Sequence, residues 1–294
     1  MPTAISFVAL VTCFNPDESI NYDAIRKQVR RQATAGNNIL VCGTNGDFTS
    51  LLYEEKIKIC ETVVDEAGAK VKVFANSGCP STYESIKLSQ DMIRTGVDAI
   101  SVISPYFIVC TQDGLYNHYS QLADAVSKPV YLYDIPARTQ NHIEAATANR
   151  LADHGNIKGI KDSGGTKETL DAYIEITKSG KDFVVFAGPD SLIYYALEKG
   201  AAGCVSGLAN VAPETVAAIC REFAAGNQKE ALRRQDILTG IRTDLYKFGY
   251  PPAMVKRALY LADNSVGASR QPALLPTAEL DAGIAETLGK HSPV

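Results

Sequence analysis

The chain has 294 residues, 46% of them hydrophobic and 21% charged, with a formal net charge of -4. That length admits one α/β barrel of about 250 residues with an extension, and the apolar fraction suffices for a packed core. The mild acidity argues against nucleic acid or an anionic membrane as the main partner, and no apolar run approaches the ~20 residues of a membrane span.

The apolar stretch 4–11 has no basic region before it and runs into Asn15-Pro16-Asp17, so it reads as a first strand and not as a signal peptide. Over 22–35, Ile25, Val29 and Ala33 recur every fourth residue among charged neighbours, which predicts a helix. Further strands are predicted at 39–42, 71–75, 99–103, 130–133, 157–161, 183–187 and 203–206, separated by segments with helical spacing. Eight strands, each followed by a helix, predict a parallel sheet closed into an α/β (β/α)8 TIM barrel. A doubly wound open sheet is the alternative. It is disfavoured because the count is eight and no dinucleotide or Walker fingerprint follows any strand; Gly164-Gly165-Thr166-Lys167 has the wrong spacing. Beyond the eighth unit, 213–225, 229–246 and 252–262 read as helices, 272–276 as a linker and 278–288 as a last helix. Residues 1–226 are expected to form the barrel, and 227–294 a C-terminal helical extension packed on it.

The seven cysteines, at 13, 42, 60, 79, 110, 204 and 220, include no C-x-x-C pair. Core thiols of a reduced, cytoplasmic protein are expected, not a disulfide framework or zinc knuckle. The four histidines, at 118, 142, 154 and 291, are dispersed, so a zinc-dependent aldol mechanism is disfavoured and no metal is expected.

In a barrel, chemistry collects where strands end and βα loops begin. The strand Asn156-Ile157-Lys158-Gly159-Ile160-Lys161 opens into Asp162-Ser163-Gly164-Gly165. Lys161 is thereby a candidate nucleophile: removal from water disfavours an ammonium, and a neutral lysine makes a Schiff base with a ketone. Alternation puts Lys158 on the opposite face, nearer solvent. Other strands end in Gly43-Thr44-Asn45-Gly46-Asp47, Ser104-Pro105-Tyr106-Phe107, Tyr133-Asp134-Ile135-Pro136-Ala137-Arg138-Thr139, Gly188-Pro189-Asp190 and Ser206-Gly207. An amine, a phenol, hydroxyls, glycine amides and a guanidinium on one rim suit a carbonyl substrate carrying a carboxylate. Each has a plainer reading: the glycines as turn residues, Tyr133 as a core aromatic, Arg138 as a surface ion-pair residue.

Taken together, these motifs resemble the dihydrodipicolinate synthase / N-acetylneuraminate lyase family, the pyruvate-dependent class I aldolases. The family's GTTGE or GSTGE loop is similar to residues 43–47, its YNxPxRT segment to 133–139 and its GIK(E/D) strand to 159–162. The likeness runs from the first strand to Pro251-Pro252-Ala253-Met254-Val255-Lys256. It implies a barrel with C-terminal helices, usually a homotetramer built as a dimer of dimers. It also implies chemistry through a lysine imine with no cofactor, on pyruvate and a small aldehyde or 2-oxo acid. By that resemblance Lys161 forms the imine, Tyr133 shuttles protons and Thr44 orients the tyrosine. The amides of Thr44 and Asn45 receive the pyruvyl carboxylate, and Arg138 holds a carboxylate of the acceptor. Tyr106, Gly188, Ser206 and Gly207 complete the substrate site.

Two positions depart from the synthases. Phe107 stands where a tyrosine completes a hydroxyl relay across the dimer interface, and Asn45 replaces the second threonine of the glycine loop. These departures favour reversible cleavage of a 2-keto-3-deoxy sugar acid or a 4-hydroxy-2-oxo acid. The alternative is the synthase reaction, condensing pyruvate with aspartate semialdehyde; a deoxy sugar acid dehydratase is a third reading. A non-catalytic 2-oxo-acid-binding protein on the same scaffold is the reading of another class. At the family's regulatory lysine site Glu84 and Tyr106 match, whereas Lys56 and Pro80 do not, so weak or no inhibition by lysine is expected.

Overall fold

Short runs rich in valine, isoleucine and phenylalanine form eight parallel strands: β1 (Ile5–Ala9), β2 (Asn38–Val41), β3 (Val73–Asn76), β4 (Ala99–Ile103), β5 (Val130–Asp134), β6 (Ile157–Asp162), β7 (Val184–Ala187) and β8 (Gly203–Ser206). Each pairs with the next and β8 pairs with β1, so the sheet is closed and the open-sheet alternative is excluded. These elements are those of a computed structural model that describes residues 4–273 and 277–291. Residues 274–276 of the expected linker lie outside the described residues.

Strand limits differ from expectation where side chains intervene. β1 stops at Ala9, because the Val11 N–H is taken by Asn210 Oδ1 at 3.1 Å. β5 and β6 each run one residue further, to Asp134 and Asp162, which stand opposite each other in the ladder. Lys158 meets the expectation of partial exposure, but alternation is not the reason. Val130 pairs with Ile157 and Tyr131 with Gly159, so Lys158 is the extra residue of a register shift, held at the strand's start by Asp182.

Inside the barrel, Phe7, Phe74, Tyr131 and Phe186 come from β1, β3, β5 and β7, one from each odd-numbered strand. Their ring centroids lie 4.5–5.9 Å apart around the circle. This is the alternate-strand layering that fills a barrel of this kind. Gly159 makes room for it: a Cβ there would lie 2.4 Å from the Val184 carbonyl oxygen. The layer seals the barrel below Lys161, which stands in register with Phe186.

Between strand and helix lies a larger apolar core, with Val29, Ile39, Val63, Leu132, Ile160 and Val185 fully buried. The helices begin on sequence-encoded caps. Asn21 accepts from the Ala24 N–H ahead of α1 (Tyr22–Ala35), and Ser81 from the Glu84 N–H ahead of α3 (Thr82–Arg94). Helices α2 (Tyr53–Ala67), α4 (Gln112–Ala125), α5 (Pro136–Thr139), α6 (Ala145–Leu151), α7 (Lys167–Thr177), α8 (Ile193–Lys199) and α9 (Pro213–Ala224) complete the outer ring.

The C-terminal helices α10 (Gln228–Tyr246), α11 (Pro251–Ala262) and α12 (Asp281–Lys290) pack beside the ring. The expected start of the last helix, at Ala278, is a separate turn of 3₁₀ helix. No described helix is long and apolar enough to cross a membrane.

Candidate active site

At the C-terminal end of the strands a cavity of about 230 Å³ opens around Lys161. The lysine is 6% exposed, on β6. Its neighbour across the ladder is Tyr133 of β5, and Lys161 Nζ stands 3.9 Å from the centroid of that ring. The Tyr133 hydroxyl shares a 3.0 Å hydrogen bond with Thr44 Oγ1. Among the described residues the amine has no hydrogen-bond or ion-pair partner, which leaves its lone pair, once neutral, free to attack a carbonyl carbon.

Thr44 and Asn45 lie in a short 3₁₀ turn (Thr44–Gly46) directly after β2. Their backbone N–H groups have no carbonyl partner among the described residues and suit a carboxylate. The turn is braced from beneath. Thr12 Oγ1 donates to the Gly46 carbonyl at 2.7 Å, and Lys256 Nζ on α11 pairs with Asp47 Oδ2 at 3.0 Å. Lys256 is 1% exposed, also donates to the Thr12 carbonyl, and lies over the Phe14 ring. Burial holds its pKa below the ordinary lysine value, and Asp47 opposes that shift. Sequence reading noted Lys256 only as the end of the likeness; its bracing role arises from a contact between distant parts of the chain.

Of the expected site residues, Lys161, Tyr133, Thr44, Asn45, Arg138, Gly188 and Gly207 all line this cavity. A Cβ on Gly188 would stand 2.1 Å from Ser163 Oγ, and one on Gly207 2.9 Å from Asn45 Nδ2, so both glycines allow close approach of loops. Two expected residues do not line it. Ser206 is fully buried behind the wall, where its hydroxyl donates to the Asp190 carboxylate and accepts from the Ala209 N–H at 2.9 Å. Tyr106 lines a neighbouring cavity of about 370 Å³ that shares Thr44 and Arg138 with the first. There it packs edge-on to Phe48, and burial pushes its hydroxyl up to about 12.

Several wall residues were not singled out from sequence. Asp190 is 6% exposed, and burial raises its carboxyl to about 6, opposed by the Ser206 and Leu208 hydrogen bonds and by the charges of Arg242 and Lys161. Arg242 and Tyr246 of α10, with Pro251 and Pro252 of α11, close the cavity from the extension. The available signal was their spacing: 242 and 246 are one helical turn apart, beside the buried stripe Leu238, Ile241 and Leu245.

Behind the Tyr133–Lys161 pair, Asp134 and Asp162 follow in sequence and turn to the outer side. Asp134 accepts from the Ile143 N–H at 3.0 Å and the Tyr173 hydroxyl at 3.1 Å, and bonds His142 Nδ1 at 2.8 Å. Asp162 accepts from the Gly164 N–H at 2.8 Å; burial raises its carboxyl to about 6, and the charge of Asp134 adds to the rise. These bonds anchor both strand ends. A larger cavity, about 580 Å³, lies between the β1–α1 loop and α11, but its lysine is the Asp47-paired Lys256 and it contains no comparable nucleophile beside a phenol. Among the described residues no group of three or more His, Cys, Asp or Glu side chains is placed to hold a metal ion.

The sequence and the barrel both have counterparts among known proteins. A 4-hydroxy-tetrahydrodipicolinate synthase of Geobacter metallireducens is 36% identical over 227 residues, 77% of each chain. The crystal structure of dihydrodipicolinate synthase DapA-2 from Bacillus anthracis superposes with a TM-score of 0.91 at 32% identity, covering 98% of both chains. The chloride-inhibited dihydrodipicolinate synthase of Acinetobacter baumannii, solved with pyruvate, gives 0.93 at 28% identity over 99% of this chain and 100% of that one. The model of the Dihydrodipicolinate synthetase family matches residues 3–290. With that match spanning almost the whole sequence, and a barrel that superposes on those of its relatives, the chain belongs to the dihydrodipicolinate synthetase family of class I, carbon–carbon bond aldolases.

Proposed function

We propose that Lys161 captures pyruvate as an imine and that the resulting enamine adds to aspartate semialdehyde, the reaction of a 4-hydroxy-tetrahydrodipicolinate synthase. The observation that carries the chemistry is the buried Lys161 amine against Tyr133, whose hydroxyl is held by Thr44. Lys161 Nζ adds to the C2 carbonyl of pyruvate, and the carbinolamine loses its oxygen as water to give an iminium. Loss of a C3 proton then moves an electron pair toward nitrogen and forms the enamine. C3 attacks the aldehyde carbon, whose oxygen takes up a proton; the amino group of the semialdehyde then adds to the iminium carbon, closing the ring, and the bond from that carbon to Lys161 breaks, releasing the cyclic product and restoring the lysine amine. Tyr133 is the proton carrier of these steps, with Thr44 orienting its hydroxyl. No metal or other cofactor enters this scheme.

The choice of acceptor is supported by relatives named as synthases, such as that of Geobacter metallireducens, and by Arg138, a guanidinium at the cavity suited to a carboxylate. The pyruvate complex of the Acinetobacter baumannii relative supports pyruvate as the donor. These findings favour the synthase reading over cleavage of a 2-keto-3-deoxy sugar acid or 4-hydroxy-2-oxo acid, the preference drawn from Phe107 and Asn45. Cleavage remains the second reading because Phe107, 82% exposed, brings no hydroxyl to the rim. Phe107, Ile108 and Val109 form an exposed apolar run, which supports a homo-oligomer, a dimer of dimers by family resemblance.

Borohydride reduction with pyruvate, followed by peptide mapping, tests the first half; the adduct is expected on Lys161, and none under saturating pyruvate refutes the imine. Coupled assays with aspartate semialdehyde and with keto-deoxy sugar acids test the second. Faster turnover of a keto-deoxy sugar acid would overturn the synthase assignment and leave the imine chemistry standing.

A further inference from the structure

Every arginine of the described residues except two donates a side-chain hydrogen bond or pairs with a carboxylate. The two exceptions are Arg138, after β5, and Arg242, on α10. Both line the cavity around Lys161. Each guanidinium lies over a tyrosine instead: Arg138 Cζ is 4.7 Å from the centroid of Tyr250 and Arg242 Cζ is 5.5 Å from that of Tyr246. Both tyrosines flank the turn between α10 and α11. Stacking orients a guanidinium without using its in-plane N–H donors, so a carboxylate can still be received in a forked geometry.

The carboxylate of the cavity wall that could neutralise Arg242 from within the protein is Asp190, whose charge state it influences. That carboxylate is already engaged, by the Ser206 hydroxyl on one oxygen and the Leu208 N–H on the other, and it forms no ion pair with Arg242. Arg242 therefore presents an unspent, permanently charged donor set to the substrate cavity, half-buried and on a different element from Arg138, which sits in α5.

We propose that Arg242 receives a carboxylate of the acceptor and is a specificity-determining residue for anionic aldehydes, acting from the C-terminal extension alongside Arg138. The assignment rests on the Schiff-base reading above and deepens it: the acceptor class is a short aldehyde bearing a carboxylate, not a neutral one. It also gives the extension a part in the reaction, since α10 supplies the charge.

The test compares wild type, Arg242→Gln and Arg242→Lys on aspartate semialdehyde, glyoxylate and uncharged propionaldehyde, each with pyruvate. For Arg242→Gln, kcat/KM on the two carboxylate acceptors is expected to fall roughly 10- to 100-fold, the scale of a lost charge-assisted hydrogen bond. Propionaldehyde turnover, the KM for pyruvate and the borohydride adduct on Lys161 stay unchanged, and Arg242→Lys recovers part of the loss. Titration of the pyruvate-loaded protein with succinate, a non-reacting carboxylate, gives a readout independent of turnover and is expected to weaken in Arg242→Gln. Equal losses on charged and uncharged acceptors, an altered pyruvate KM, or unchanged succinate binding would each overturn the assignment. A wild-type protein that forms no adduct with pyruvate would instead sink the Schiff-base reading, a failure visible without any Arg242 variant.

Discussion

Tyr133 and Lys161 are direct partners in the β5–β6 ladder, and the lysine nitrogen sits above the face of the phenol ring, 3.9 Å from its centroid. The hydroxyl at the ring's rim is turned to Thr44. In the proposed mechanism one side chain thus serves two ends of the reaction: its face supports the iminium nitrogen and its edge handles protons.

That division predicts the behaviour of Tyr133→Phe. The ring remains, so the borohydride-trapped pyruvate adduct on Lys161 is expected to form. Without the hydroxyl, kcat is expected to drop by about 10²–10⁴-fold, the usual reach of a positioned acid–base group. Single-turnover kinetics separates the two steps; full turnover in the variant would remove Tyr133 from the proton path.

Lys256→Met keeps the length of a buried side chain and removes its donors to Asp47 and the Thr12 carbonyl. Breaking one partner of a buried ion pair costs ~3–5 kcal/mol. Because Asp47 caps the turn that carries Thr44, both lower stability and lower kcat are expected. Denaturant unfolding measures the first and a steady-state assay the second. Wild-type kcat in a destabilised variant would show that the brace serves folding alone.

Asp190 sets a pH dependence of stability whose sign follows from burial. Its carboxyl is raised from 3.8 to about 6 in the folded protein. The folded state thus holds a proton that the unfolded state releases between those values, and this contribution is complete below about pH 4 and lost as pH rises through about 6. Asp190→Asn cannot ionise. Relative to wild type it is expected to gain stability between pH 4 and pH 7, on the order of 3 kcal/mol. Paired unfolding curves at the two pH values check this; a difference that stays constant with pH contradicts the raised carboxyl.

Free lysine is expected to inhibit weakly or not at all. Lys56 stands 5.9 Å from the Phe48 ring, beside the cavity that Tyr106 and Phe48 line, and its ammonium repels the like charge of a lysine ligand. Steady-state rates at rising lysine concentration measure the effect. Strong inhibition would show that Glu84 and Tyr106 suffice to hold the ligand.

Much of the barrel was legible in local patterns. Every strand was placed to within a few residues because β-branched and aromatic runs are short and bounded by polar residues. The errors at β1 and β6 came from non-local causes: Asn210 drawing off the Val11 N–H, and a register shift that no alternation rule contains. Seven of the nine named site residues line the cavity because they sit at strand ends, where the fold concentrates side chains. Ser206 and Tyr106 also sit at strand ends, yet one turns behind Asp190 and the other toward Phe48.

By itself the amino-acid sequence determined the strand count and the strand-end motifs on which the proposed imine chemistry of Lys161 rests, since each is written within a few neighbouring residues. Only the tertiary structure decided which charges share the cavity with that lysine. Arg242 reaches it from α10, and Lys256 on α11 braces the turn of Thr44 from behind; both lie more than 80 residues beyond Lys161, and although an apolar stripe marks the inward face of each helix, nothing local says which strand ends that face meets. Packing brings them there, because burying the apolar stripes of α10 and α11 against the barrel fixes where their remaining side chains point.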